Sequence, residues 1–196
     1  MLPVNIIWVG VTVNLLATFW YIKDILYGST RPNLVSWFIW MLAPFIGTFL
    51  ALKAGAGLSS LGIFMAGLCP FLVLTFSLFK KNAFWKIESY DLICGFASLL
   101  AIILYVLTNN LSISIIFAIL GDLLAYIPTL IKSWKHPESE NSWIYSAGIV
   151  NSILALLIIK DWNFAIYSFP LYLVLANSLE VIFIYRKNFF KKNISI

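Results

Sequence analysis

Residues 121–132, GDLLAYIPTLIK, set a carboxylate and a proline inside an otherwise apolar run. An ionisable group at the centre of a membrane-length segment costs at least about 2.5–3.5 kcal/mol when charged, so it normally faces a partner or a wet cavity and marks a path for solute, ion or proton. Asp122 can accept from hydroxyls, pair with an amine, or carry a proton in one state and release it in another. Pro128, six residues on, lacks the N–H an inner helical turn needs and gives the segment a place to bend. A proton-coupling carboxylate and a hinge are therefore expected on one helix.

Three amides stand at similar depth in other apolar runs: Asn14, Asn151 and Asn177. With Asp122 they would line one cavity suited to a small polar solute, because amides both donate and accept. The competing reading is interhelical glue at about 0.6–2 kcal/mol per bond. Asn14 is the expected partner of Asp122. Trp40 lies one turn deeper than Trp37 and is added as a stacking surface, whereas the other tryptophans fall near run ends or in loops, as an aromatic belt does. Glu180, toward the end of the last run and within reach of Arg186 or water, reads as structural.

The elements that must hold these residues follow from composition. A chain of 196 residues that is 62% hydrophobic and 11% charged has too little polar surface to cover a soluble globule. Its apolar blocks predict seven membrane spans over residues 4–22, 34–52, 58–79, 91–107, 111–131, 143–159 and 163–185. The start, MLPVNIIWVG, lacks a basic stretch and a small-residue cleavage site and reads as part of the first span. With seven spans, only Lys53 and Lys160 of the thirteen basic residues fall on the side of the N-terminus. The positive-inside rule then puts the N-terminus outside and the C-terminus in the cytoplasm, in a cytoplasmic membrane. The net charge of +5 is spread over short loops, which excludes a nucleic-acid groove. Pro44, Pro70, Pro128 and Pro170 are candidate hinges, and Gly47, Gly67, Gly121 and Gly148 allow helices to approach closely.

Enzyme chemistry is not expected. The single histidine, His136, lies beside Pro137 in a loop, and Cys69 and Cys94 sit in different spans, so neither a metal cluster nor a nucleophile–base pair is visible and no cofactor is expected.

The chain also repeats itself. Asn14-Leu-Leu-Ala17 matches Asp122-Leu-Leu-Ala125, Ser36-Trp37 matches Ser142-Trp143, and Pro70 matches Pro170, each proline being followed seven residues later by Ser77 or Asn177. Two parallel three-helix units are implied, residues 1–79 and 111–187, with a linker helix in 80–110 and a tail at 188–196. This all-α, 3+1+3 plan, with the loops TRPNLVSW and PTLIKSWKHPESENSW, resembles the PQ-loop and SWEET superfamily, which includes cystine and nicotinamide-riboside transporters. Pro128-Thr129 and Trp20-Tyr21 stand where the signature Pro-Gln would be. The resemblance implies a membrane transporter, uniporter or proton-coupled, that moves a sugar, amino acid or vitamin precursor by alternating access. It further implies Asn177 and Ser77 as a substrate-binding pair in the third helix of each unit. A receptor or accessory protein of the same fold is the alternative. Expected partners are a small polar solute, the lipid bilayer and protons, with a homo-oligomer left open.

Overall fold

The computed structural model describes residues 6–53, 61–80, 83–108, 110–159 and 162–191. Among them are seven α-helices: α1 (Ile7–Tyr27), α2 (Leu34–Lys53), α3 (Leu61–Phe79), α4 (Ser89–Leu107), α5 (Leu111–Lys135), α6 (Trp143–Ile158) and α7 (Phe164–Lys191), with one 3-10 turn at Pro137–Ser139. Among the described residues, four stretches are long and apolar enough to cross a membrane, namely Trp8–Tyr27, Ser89–Leu107, Leu111–Lys135 and Phe164–Arg186. Leu34–Phe49, Ile63–Phe79 and Trp143–Ile158 are shorter apolar helices. Large apolar side chains such as Phe19, Phe96 and Leu175 face outward, with Phe96 77% exposed, a surface that suits lipid and not water. The chain thus fits a helical membrane protein.

Local chemistry sets the helix ends. Gly28 takes φ 83°, and its N–H closes onto the Asp24 and Ile25 carbonyls, ending α1 in a left-handed cap. Asn33 opens α2 by accepting from the N–H groups of Val35 at 3.1 Å and Ser36 at 3.3 Å. Asn110 does the same for α5. Three helices run further than hydropathy predicts: α1 reaches Tyr27, α5 reaches Lys135 and α7 reaches Lys191. Lys23, Lys132 and Lys135, expected in loops, are therefore helical. Long amphipathic stems allow this, and Lys23 lays its ammonium 4.5 Å over the Trp20 ring. The runs that include Lys53, Lys160 and the far C-terminus lie partly outside the described residues.

α3 packs against both α1 and α2, α7 packs against both α5 and α6, α1 meets α6, α2 meets α5, and α4 leans on α5 and α2. Three connections gather at one end, where Arg31 N–H donates to the Ser139 carbonyl and Trp85 N–H to the Pro32 carbonyl, each at 2.9 Å. This is the lysine-rich end. The core running up from it is aromatic: Tyr21, Trp37, Trp40 and Tyr126 follow one another with ring centroids 5.0, 5.3 and 4.5 Å apart.

Candidate functional site

Helices α5 and α7 both reach the lysine-rich end with their C-terminal turns, and three side-chain bonds join them like rungs. The Tyr172 hydroxyl donates to Asp122 Oδ2 at 2.8 Å. One turn along α5, the Tyr126 hydroxyl donates to Asn177 Oδ1 at 2.8 Å. Lower still, Ser133 and Glu180 share a hydrogen bond. Positions 122, 126 and 133 fall on one narrow face of a 3.6-residue helix, whereas 172, 177 and 180 spread over a wider arc of α7.

Asp122 and Asn177 are therefore brought to one interface, and Trp40 joins them through its contact with Tyr126. Asn177 is buried and fully engaged, since its Nδ2 also donates to the Leu173 carbonyl at 2.8 Å. Gly148 makes room for it: a Cβ there would lie 2.9 Å from the Asn177 amide. Trp40 and Trp37 bury their indole N–H groups without an acceptor.

The remaining predicted residues lie elsewhere. Ser77 is fully buried and turns back on its own helix, donating to the Val73 carbonyl at 2.6 Å. Asn151 donates to the Ala147 carbonyl at 3.1 Å and packs where Gly10 of α1 leaves space. Asn14 is half-buried and forms no hydrogen bond with Asp122, whose partner is Tyr172. Pro44, Pro70, Pro128 and Pro170 all lie inside helices. At Pro128 the backbone ladder loses one donor to Leu124, and the Ser36 hydroxyl of α2 reinforces the neighbouring carbonyl of Ala125 at 2.6 Å while accepting from Thr129 at 2.9 Å.

A second polar cluster closes the lysine-rich end. The Lys132 ammonium is buried, forms an ion pair with Glu140 and donates to the Arg31 carbonyl at 2.6 Å. Glu140 Oε2 accepts from the Tyr21 hydroxyl at 2.8 Å. One ion pair thus ties α1, the α1–α2 connection, α5 and the segment before α6. Glu180 is fully buried; Arg186 donates to the Ser133 and Phe183 carbonyls and does not reach it, so the expected pairing or solvation of Glu180 is corrected to a bond with Ser133. Nearby, a shallow groove of about 550 Å³ is lined by Arg31, Phe84, Trp85 and Lys86, none of them a predicted site residue.

Sequence reasoning missed Tyr126 and Tyr172. Tyr126 was signalled by its i+4 spacing from Asp122; Tyr172 carried no signal, because facing residues on non-adjacent helices share no spacing rule. The Lys132–Glu140 pair was hidden in what reads as an ordinary charged loop. Among the described residues no group of three or more His, Cys, Asp or Glu is placed to hold a metal ion. Comparison with family models, with curated proteins and with solved structures finds no match for this chain.

Proposed function

We propose that the chain is a seven-span transporter that moves a small polar solute by alternating access, built as two three-helix units joined by α4 on the plan of the PQ-loop and SWEET superfamily. The helix neighbours support the plan. The third helix of each unit lies beside both of its mates, and the contacts between units are reciprocal, first helix to sixth and second to fifth. Such an interface between units is where solute sites form.

The observation that carries the function is the Asp122–Tyr172 bond beside Tyr126, Asn177 and Trp40. A carboxylate inside an apolar bundle, flanked by hydroxyls, an amide and an indole, supplies the acceptors, donors and flat surfaces that a polar metabolite needs. The units differ chemically: at the repeat-related positions the first unit has Asn14, Leu72 and Ser77 where the second has Asp122, Tyr172 and Asn177. At these related positions the two units then share one carboxylate, Asp122, either as a proton carrier or as the counterion of an amine.

The lysine-rich end is the cytoplasmic one, and here it is shut. Among the described residues, hydrogen bonds from side chain to side chain between different elements lie at this end or at mid-depth, in the sets around Glu140, Glu180, Asn33 and Asp122. Opening requires the Lys132–Glu140 tie to release. A receptor of the same fold would hold an anionic ligand on a free buried cation; Lys132, the buried cation among the described residues, is taken by Glu140, which favours transport.

Thermal unfolding of the detergent-purified full chain against sugars, amino acids, nucleosides and vitamin precursors tests this. A solute at a hundred times its dissociation constant adds about 2.7 kcal/mol of stability. A hit lost in both Asn177→Ala and Asp122→Asn supports the site. A hit untouched by either variant moves the site elsewhere, and no hit across the panel turns the reading toward a receptor or accessory protein.

A further inference from the structure

We propose that Glu180 is a proton-binding site coupled to the Lys132–Glu140 ion pair, so that the proton leaves toward the cytoplasm when that pair opens. The buried charged side chains among the described residues are Asp91, Lys132, Glu140 and Glu180. Asp91 belongs to the start of α4, where it accepts from Asn33 at 3.0 Å and from the Glu88 N–H at 2.7 Å. That leaves two carboxyls and one ammonium at the cytoplasmic closure.

The ammonium is spent. Lys132 donates to Glu140 and to the Arg31 carbonyl, and Glu140 takes further bonds from Tyr21 and from the Asn141 N–H. Glu180 meets only the Ser133 hydroxyl on Oε1; its Oε2 is buried and has no hydrogen-bond partner. A carboxylate left in that condition carries an uncompensated buried charge, whereas the neutral acid does not. With the proton on Oε1, the acid donates to Ser133 Oγ and leaves Oε2 as an ordinary carbonyl oxygen.

Every neighbouring element bears on this balance. α1 supplies Tyr21, α5 supplies Tyr126, Lys132 and Ser133, the connection before α6 supplies Glu140, and α6 supplies Tyr145, whose hydroxyl is also buried without a partner. On α7 itself, Arg186 spends its guanidinium on the Ser133 and Phe183 carbonyls and on the face of Trp134, 4.6 Å from the ring centroid. Among the described residues, the buried cation able to change partners is Lys132. When Glu140 swings away with its segment, the ammonium is released beside Ser133 and becomes the counterion of Glu180. The carboxyl O–H bond then breaks, water takes the proton, and the carboxylate stays behind paired with Lys132. Opening of the gate and loss of the proton are one event.

Infrared spectroscopy of the detergent-purified full chain near neutral pH tests this without any solute, so its outcome is separate from that of the transport reading. In an Asp122→Asn background, which removes the acid bonded to Tyr172 at mid-depth, the carbonyl band of a protonated carboxyl is expected to remain. Adding Glu180→Gln abolishes it. Adding Glu140→Gln instead also abolishes it, although Glu180 is intact, because the freed Lys132 ionises its new partner. In the unsubstituted protein, labelling with carbonyl-¹³C glutamate shifts a protonated-acid band, which identifies a neutral glutamic acid without any substitution. No isotope-shifted acid band, or a band indifferent to Glu180→Gln, overturns the proton site. A band that survives Glu140→Gln overturns the coupling.

Discussion

The Tyr126 hydroxyl donates to Asn177 Oδ1 at 2.8 Å across the α5–α7 interface, while Asn177 Nδ2 is held by the Leu173 carbonyl at the same distance. Both halves of the amide are thereby used. A solute that binds here must take over the tyrosine's bond or read the flat faces of Tyr126 and Trp40, whose centroids are 4.5 Å apart.

Tyr126→Phe is expected to destabilise the protein by about 1–3 kcal/mol, because Asn177 Oδ1 is left buried without a donor. Asn177→Ala strands the tyrosine in the same way. The double variant should lose less than the sum of the two, with a coupling of about 0.6–1.7 kcal/mol in a membrane protein. Thermal or denaturant unfolding of the four proteins measures the cycle, and strict additivity would mean the bond carries no energy.

Asp122→Asn keeps the size of the side chain and an acceptor for Tyr172 but removes the titrating proton. Solute flux into proteoliposomes should lose the part of its pH dependence that Asp122 carries, leaving the part due to Glu180, while exchange persists. A pH profile identical to that of the unsubstituted protein would take the proton role away from Asp122. Tyr172→Phe is expected to weaken solute binding with less effect on the shape of that profile.

Gly10 and Asn151 test a packing contact. A Cβ at residue 10 would overlap Asn151 Oδ1 in α6, so Gly10→Ala should cost about 1–3 kcal/mol by overpacking. Asn151→Ala in that background should restore most of the loss in unfolding experiments. If Asn151 also binds solute, Asn151→Ala alone lowers the ligand-induced stabilisation; unchanged stabilisation assigns the residue to packing.

The buried ion pair predicts an inequality. Lys132→Met leaves Glu140 without its counterion, a change that costs about 3–5 kcal/mol for buried pairs. Glu140→Gln should cost less, because Lys132 can turn to Glu180. Equal losses in thermal unfolding would argue against that exchange of partners.

The helical, membrane-type character of the chain was legible in the sequence. Apolar runs of about 20 residues demand helices in a membrane, since no other local structure satisfies the backbone there. Asp122 stood out because an isolated carboxylate in such a run is costly whatever surrounds it. Helix overruns at Lys23, Lys132 and Lys135 were less visible, because a hydropathy window counts the charge and misses the long stem that lets it lie along the bundle.

Only the tertiary structure decided who meets whom. Asp122 bonds Tyr172 and not Asn14, Ser77 turns inward on its own helix while its repeat mate Asn177 crosses to α5, and Lys132 and Glu140 leave an apparently solvated loop to become a buried pair. The reason is physical: burial of an apolar face sets that a helix packs, but helix rotation decides which way each polar group turns, and the bonds of Asp122, Tyr126 and Tyr21 join residues 50, 51 and 119 positions apart, for which a single sequence carries no periodic signal.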